Sequence, residues 1–166
     1  LNELFRKKYN IKYNSLSEKE KIKLLNKSIK EKNYFVDKIK ITDRENKEVW
    51  NTFKQISKTP NECLGAYVIS MTSTASDILS VYFLQIQAQI KNFLRVVPLF
   101  ETLDDLKNAK SVMKNLFKLS WYRKMTSAKQ EVMIGYSDSS KDAGKLSASW
   151  HQYKLQEELR GLAKKY

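Results

Sequence analysis

Three short apolar runs, each followed by a segment of helical periodicity, constrain the fold of this chain more than any other feature. The runs cover residues 65–71, 94–100 and 131–136, and helical patterns follow over 75–90, from Asp104 or Asp105 to 117, and over 145–164. A parallel strand returns only through a long crossover, so strands that alternate with helices predict parallel β/α units. Nearly continuous apolar strands predict that both faces of the sheet are covered. We therefore expect an α/β fold with about three consecutive β/α units.

The first part of the chain predicts helices that precede these units. Ser15 and Glu18 have the spacing of a capping box at the start of a helix over residues 15–33. Residues 33–42 lack a clear period and are expected to connect to a second helix, which Asp43 would cap and which ends near Pro60. We expect a helical region over residues 1–60 and three β/α units over 61–166, within a single incomplete domain.

Composition narrows the class of protein. The 166 residues carry 31 Lys and Arg against 18 Asp and Glu, a formal charge of +13. Of the basic residues 26 are Lys and 5 are Arg, spread along the chain, which favours a solvated lysine-rich surface over a nucleic-acid interface. Aromatic residues such as Trp50 and Phe53 are expected to pack rather than to stack on bases.

Cysteine usage and apolar run length bear on the compartment. A single cysteine, Cys63, excludes an intramolecular disulfide and suits a reducing compartment, so we expect a cytoplasmic protein. No apolar run approaches the roughly 20 residues of a membrane-spanning helix, and no membrane partner is expected. Because residue 1 is Leu rather than Met, we expect a piece of a longer protein.

Acidic side chains follow two of the apolar runs. Glu101 ends the second run, and Asp138 comes just after the third. Carboxyl ends of parallel strands form the functional face of β/α folds, so the two side chains can converge there. Two carboxylates, completed by waters and substrate oxygens, are a usual way to hold Mg²⁺. The alternative is that both residues only cap the helices that follow.

The segment over residues 135–145 strengthens the first interpretation. It is small, polar and bracketed by glycines, and its side chains would face an anion near the start of the next helix: Ser137, Ser139, Ser140, Lys141 and Lys145. It lacks the order of a Walker loop. No His or Cys joins it, so zinc and thiol chemistry are not expected, and the single histidine, His151, is interpreted as a surface or packing residue.

At these residues the sequence resembles a known family. Residues 130–144, Gln-Glu-Val-Met-Ile-Gly-Tyr-Ser-Asp-Ser-Ser-Lys-Asp-Ala-Gly, closely resemble a signature of the phosphoenolpyruvate carboxylases. Further blocks agree in the same order: residues 66–71 with 76–77, 94–106, 121–123, and 148–150 through 156–159. The resemblance is dense over residues 62–160 and weaker, though collinear, from residue 13.

The resemblance implies a fold and a reaction. The fold would be part of a helix-rich (β/α)₈ barrel, and the reaction would add bicarbonate to phosphoenolpyruvate. Carboxyphosphate and the enolate would form first, and oxaloacetate and phosphate would result, feeding the tricarboxylic acid cycle. Mg²⁺ or Mn²⁺ would be held by Glu101 and Asp138, and Lys141 matches a catalytic lysine near the bicarbonate. A homotetramer is implied for the full-length protein.

The departures from the family set limits. The family's catalytic histidine lies upstream and its Gly-Arg phosphate loop downstream of the matched blocks, and neither is present in these residues. Residues 33–47 also depart from the family pattern. We therefore expect the isolated 166 residues to be inactive. Three β/α units cannot close an eight-stranded barrel, so the isolated residues are also expected to expose strand edges. Two alternatives stay open: a noncatalytic structural module that keeps this part of the barrel, and a basic nucleic-acid binder.

Overall fold

The apolar runs form three strands in the computed structural model, which describes residues 1–31 and 33–166. They are β1 (Ala66–Ile69), β2 (Arg95–Phe100) and β3 (Met133–Ile134). All pair in parallel, in the order β1-β2-β3. The predicted alternation of parallel strands with helices is thus confirmed, as a helix-rich α/β structure around a three-stranded sheet.

Strand β2 pairs with its two neighbours along different parts of its length. Its first four residues, Arg95 to Pro98, face β1, whereas Leu99 and Phe100 face β3. Proline has no N–H to give to a ladder, and Pro98 lies where the pairing changes from one neighbour to the other. The stagger places the end of β3 beside the end of β2.

The third strand is shorter than the sequence predicts. The apolar run over 131–136 forms only the two-residue β3, because Gly135 caps a helix that begins at Tyr136. Before the strand, the Gln130 side chain donates to the Val96 carbonyl oxygen at 3.0 Å. An apolar run therefore marks where a strand lies without fixing where its pairing ends.

Eight helices surround or precede these strands within the described residues. They are α1 (Asn2–Tyr9), α2 (Glu18–Glu31), α3 (Arg44–Lys58), α4 (Ala75–Gln87), α5 (Leu103–Phe117), α6 (Ser120–Met125), α7 (Tyr136–Ala143) and α8 (Lys145–Ala163). Short 3₁₀ turns cover Tyr13–Ser15, Val36–Lys38 and Asn61–Cys63. Across the described ranges, none of the helices combines the length and apolar character needed to cross a membrane.

The helix caps match the predictions in part. Asp43 caps α3 as expected, its Oδ1 accepting from the Asn46 N–H at 2.8 Å. The expected box of Ser15 and Glu18 is wrong, because the Ser15 hydroxyl donates to the Lys12 carbonyl and closes a 3₁₀ turn. The box forms two residues later, where the Ser17 N–H donates to Glu20 at 2.8 Å and the Ser17 hydroxyl faces the Glu20 N–H at 3.4 Å.

The chain divides into two units, the first made of residues 1–65 and 79–94. Its core is an aromatic cluster centred on Phe5, which stacks on Tyr13 and Phe83 with both ring centroids at 5.4 Å. Trp50 and Phe53 are buried, so the expectation that they pack is confirmed. Aromatic pairs at such distances stabilise beyond the area that they bury.

The second unit comprises residues 66–78 and 95–166 and contains the sheet. Its core joins β2 to the apolar sides of α5 and α8, with these residues buried: Val96, Val97, Phe100, Leu106, Val112, Met113, Leu116, Ala148 and Leu155. Burial of an aliphatic side chain contributes roughly 1.5–3 kcal/mol. The predicted apolar side of the helix over 104–117 therefore lies where the pattern places it.

Two buried glutamines tie backbone segments of the first unit to α4. Gln87 accepts from the Phe35 N–H at 2.9 Å and from the Val36 N–H at 3.2 Å, and donates to the Asn33 carbonyl at 2.7 Å. Gln85 accepts from the Leu94 N–H at 2.7 Å and donates to its carbonyl at 3.2 Å. These side chains satisfy the hydrogen-bonding groups of irregular backbone, as neighbouring strands do within a sheet.

Glu3 organises the start of the same unit. Its Oε1 accepts from Lys7 Nζ at 2.7 Å and from the N–H and hydroxyl of Thr42, each at 2.8 Å, while Oε2 accepts from Asn46 at 3.1 Å. The Lys7 ammonium contributes most to lowering the pKa of the Glu3 carboxyl from its ordinary value to about 2. The carboxylate therefore holds α1 to the segment before α3.

Replacing Gln87 with Ala is expected to lower the free energy of unfolding by about 2 kcal/mol or more, because two buried N–H groups and a carbonyl lose their partner. Gln55→Ala, at an exposed position of α3, is the control. Urea denaturation of both variants measures the difference. Equal midpoints for the two variants would contradict the role given to Gln87.

Glu3→Gln is expected to destabilise the protein at neutral pH and to have no effect in strong acid. A carboxylate with a lowered pKa stabilises the fold above its unfolded pKa of about 4.3, and that contribution disappears as the pH falls towards about 2. Urea midpoints of wild type and variant, measured across this range, should converge in acid. A difference that is constant with pH would refute the assignment.

Candidate functional site

The carboxyl end of β2 carries the first of the predicted site residues. Glu101 follows Phe100 directly and is half-buried. Its Oε1 accepts a hydrogen bond from the Met71 N–H at 3.2 Å, and Met71 lies in the loop after β1. The ends of two neighbouring strands are therefore joined through this carboxylate.

The end of the third strand approaches Glu101 more closely still. The Gly135 N–H donates to the Phe100 carbonyl at 2.9 Å, and a Cβ built on Gly135 would lie 2.7 Å from the Glu101 Cβ. Only a residue without a side chain fits this position. Asp138 lies in the first turn of α7, which Gly135 caps, so the two carboxylate-bearing segments adjoin.

Asp138 is exposed at the start of α7, in company with Lys141. Lys141 Nζ lies 3.8 Å from Asp138 Oδ1, one helical turn away, and the two side chains are 80% and 52% exposed. An ion pair this open contributes little to stability, so both groups can turn to other partners at small cost. The Ser137 hydroxyl also faces Asp138 Oδ2 at 3.4 Å.

The small, polar segment over residues 135–145 is mostly helical. It forms α7, and Gly144 at φ 75° then turns the chain into α8. Ser139 is buried, bonded to the Gly135 carbonyl and to Gln152 Nε2 at 2.7 Å, and the Ser140 hydroxyl donates to the Tyr136 carbonyl at 2.8 Å. The expectation that Ser139 faces an anion is therefore wrong, because its hydroxyl is buried and bonded on two sides. The role expected of Ser140, which is not buried, stays a prediction.

Apart from Thr102, the residues that support the site carry no signal in the sequence pattern. Asp142 Oδ2 accepts from the Leu103 N–H at 2.8 Å and so holds α7 to the start of α5. The cap of α5 is Thr102, which forms a capping box with Asp105. Asp77 accepts from the Thr74 N–H at 2.8 Å and orders the loop before α4. The signal of Thr102 is its spacing, three residues before Asp105, which is typical of a capping box.

The donor chemistry at this edge suits a hard divalent cation. Glu101 and Asp138 supply carboxylate oxygens, and Mg²⁺ is usually held by one or two carboxylates, with waters and substrate phosphates completing its shell. Among residues 1–31 and 33–166 there is no group of three or more His, Cys, Asp or Glu side chains able to hold a metal ion. Any cation here would thus share its shell with water or substrate.

His151 and Cys63 lie outside this arrangement. His151 is half-buried in α8, and its Nδ1 lies 2.9 Å from the Ser147 carbonyl oxygen, as suits the packing role expected for it. Cys63 is an exposed free thiol in the turn before β1. Neither residue bears on the chemistry of the strand ends.

Comparison with known proteins gives one consistent result. The family model described as phosphoenolpyruvate carboxylase matches residues 1–166. Phosphoenolpyruvate carboxylase 3 of Arabidopsis thaliana is 56% identical over 119 residues, which are 72% of this chain and 12% of that protein. The enzymes of Flaveria trinervia (phosphoenolpyruvate carboxylase 1) and Acinetobacter baylyi are 52% and 54% identical over 74% and 72% of this chain.

The matches cover a large share of this chain but a small share of each relative. The aligned stretches cover most of this chain but only 12–13% of the relatives' length. The aligned part of this chain therefore corresponds to about an eighth of each of these relatives.

Ser139→Ala is expected to lower the free energy of unfolding by about 1–3 kcal/mol, because the buried Gln152 amide loses its acceptor. It is expected to leave the affinity for inorganic phosphate unchanged. Ser149→Ala, at an exposed position of α8, is the control for stability. Weaker phosphate binding at wild-type stability would restore the anion-facing role for Ser139.

Proposed function

Since the chain belongs to the phosphoenolpyruvate carboxylase family, we propose that it supplies the metal-binding edge of an enzyme that carboxylates phosphoenolpyruvate to oxaloacetate. Bicarbonate is the second substrate, and phosphate is the second product. The observation that carries the proposal is the contact of Gly135 with Glu101, which brings the segment bearing Asp138 against the segment bearing Glu101. Two acidic strand ends then adjoin on the face where β/α folds do their chemistry.

The two carboxylates would hold Mg²⁺ or Mn²⁺. When bound, such a cation acts as a Lewis acid and stabilises negative charge that develops on phosphate and enolate oxygens. Glu101 is the fixed member, because the Met71 N–H holds it at 3.2 Å. Asp138 is the open member, since 52% of its side chain is exposed and its ion pair with Lys141 is long.

Lys141 is proposed to face bicarbonate as a catalytic and substrate-binding residue. One helical turn separates it from Asp138, so its ammonium can lie close to a cation-bound substrate without being a ligand of the cation. A lysine is a compact point charge on a flexible stem, which suits attraction of a small anion. Its 80% exposure leaves the side chain room to move towards such an anion.

The wider architecture follows as part of the same proposal. The parallel order β1-β2-β3 suits three consecutive strands of a (β/α)₈ barrel over residues 61–166, with a helical region over 1–60 preceding it. The complete activity would also need the histidine and the Gly-Arg loop that the family carries elsewhere. A homotetramer in the cytoplasm stays our prediction.

The proposal is tested by Asp138→Asn in the full-length enzyme. We expect Mn²⁺ affinity, measured by electron paramagnetic resonance, and kcat/KM for oxaloacetate formation to fall together by at least about tenfold, because a ligand oxygen loses its charge. Asp104→Asn is the matched control: Asp104 is also an exposed aspartate in the first turn of a helix that follows a strand, and it too interacts with a helix dipole.

The outcomes separate a ligand from a helix cap. Equal and small effects of the two variants would mean that Asp138 only stabilises the start of α7, and the proposed role would be wrong. Loss of Mn²⁺ affinity in Asp138→Asn alone supports it.

A further inference from the structure

Gly135 occupies a position where space, rather than backbone conformation, excludes other residues. Its φ of −81° and ψ of 102° lie in a region that any residue adopts. A Cβ at this position would nevertheless lie 2.7 Å from the Glu101 Cβ and 3.1 Å from the Glu101 Cα. Neither atom can turn away, because the first is fixed by the backbone and the second belongs to it.

A second contact acts on the other end of the same side chain. The Met71 N–H donates to Glu101 Oε1, and Met71 adopts a left-handed conformation with φ 52° although the residue is 83% exposed. A non-glycine residue in this region costs conformational energy, and here the side chain gains no burial in return. What the conformation does achieve is to aim the amide at Glu101.

The loop that carries Met71 is itself fixed. Asp77 Oδ2 accepts from the Ser73 and Thr74 N–H groups at 3.2 and 2.8 Å, and the Thr72 hydroxyl donates to the Ile69 carbonyl at 3.0 Å. The amide therefore belongs to an ordered loop, and its direction is set before any ligand arrives.

We propose that Gly135 and the Met71 amide are positioning groups that together fix the Glu101 carboxylate for cation binding. Gly135 sets how near the Glu101 backbone lies to the start of α7, and the Met71 N–H sets how the carboxylate is turned. The inference rests on the proposed function, in which Glu101 is a ligand. Its new content is that the affinity of the site depends on a missing side chain at position 135.

The first experiment compares Gly135→Ala with Gly65→Ala in the full-length enzyme. Gly65 has no atom within 4 Å of an added Cβ and lies just before β1, so its variant controls for the loss of a glycine. Supports of a metal ligand typically change affinity by about 10- to 100-fold. We expect Gly135→Ala to weaken Mn²⁺ binding by this factor in electron paramagnetic resonance titrations, and Gly65→Ala to leave it unchanged.

A double-variant cycle distinguishes positioning from a general structural effect. If Gly135 acts through Glu101, adding Gly135→Ala to Glu101→Gln should cause no further loss of Mn²⁺ affinity. An undiminished further loss in that background would overturn the proposal, as would wild-type affinity in the single variant. If Glu101→Gln itself leaves affinity unchanged, the proposed ligand is wrong, and the proposed function fails at that point independently of Gly135.

A folding defect in Gly135→Ala would also be informative. Far-ultraviolet circular dichroism and urea midpoints would detect such a defect. The compensating variant is the double variant with Glu101→Gly, which removes the colliding Cβ. A midpoint that rises from that of Gly135→Ala towards that of Glu101→Gly alone would support the steric contact, because only the looser contact with the residue 101 Cα, at 3.1 Å, then remains. A midpoint no higher than that of Gly135→Ala would overturn it.

Discussion

The second unit depends on the parallel pairing of β2 with a strand on each side. Among the described residues it is the one strand with two neighbours, and its side chains Val96, Val97 and Phe100 are buried. In a parallel sheet the carboxyl ends of all strands lie at the same edge, so the loop after β1, Glu101 and Gly135 adjoin there although long crossovers separate them in the chain. The direction of the strands therefore brings the segments of the candidate site together. Only the close contacts between those segments depend on particular residues.

The sequence predicts the strands and the two acids for the same reason. A run of apolar β-branched residues has a short-range signature, and the residue that follows it can be read directly, as with Glu101 and Asp138. Helix α3 with its Asp43 cap and the apolar side of α5 are predicted on equally local grounds. These features are set within a few residues of chain, which is the range that periodicity covers.

What could not be predicted depends on contacts between distant residues. Nothing near Gly135 indicates that Glu101, 34 positions earlier, occupies the space of its side chain. Ser139 resembles an anion ligand in a glycine-bracketed segment, but Gln152 of the following helix turns it into a buried hydrogen-bond partner. The misplaced box at Ser15 has a milder cause: two serines two residues apart offer the same spacing, and the 3₁₀ turn selects the second.

The buried glutamines of α4 have a consequence for how reliably the chain reaches a single state. The hydrophobic effect is non-directional, so apolar contacts specify the alignment of a helix less sharply than hydrogen bonds to particular groups do. Gln85 and Gln87 form hydrogen bonds with particular N–H and carbonyl groups. Displacement of α4 by one residue would leave those groups without their partners. Such side-chain amides therefore destabilise near-native alignments of the helix far more than they stabilise the native alignment.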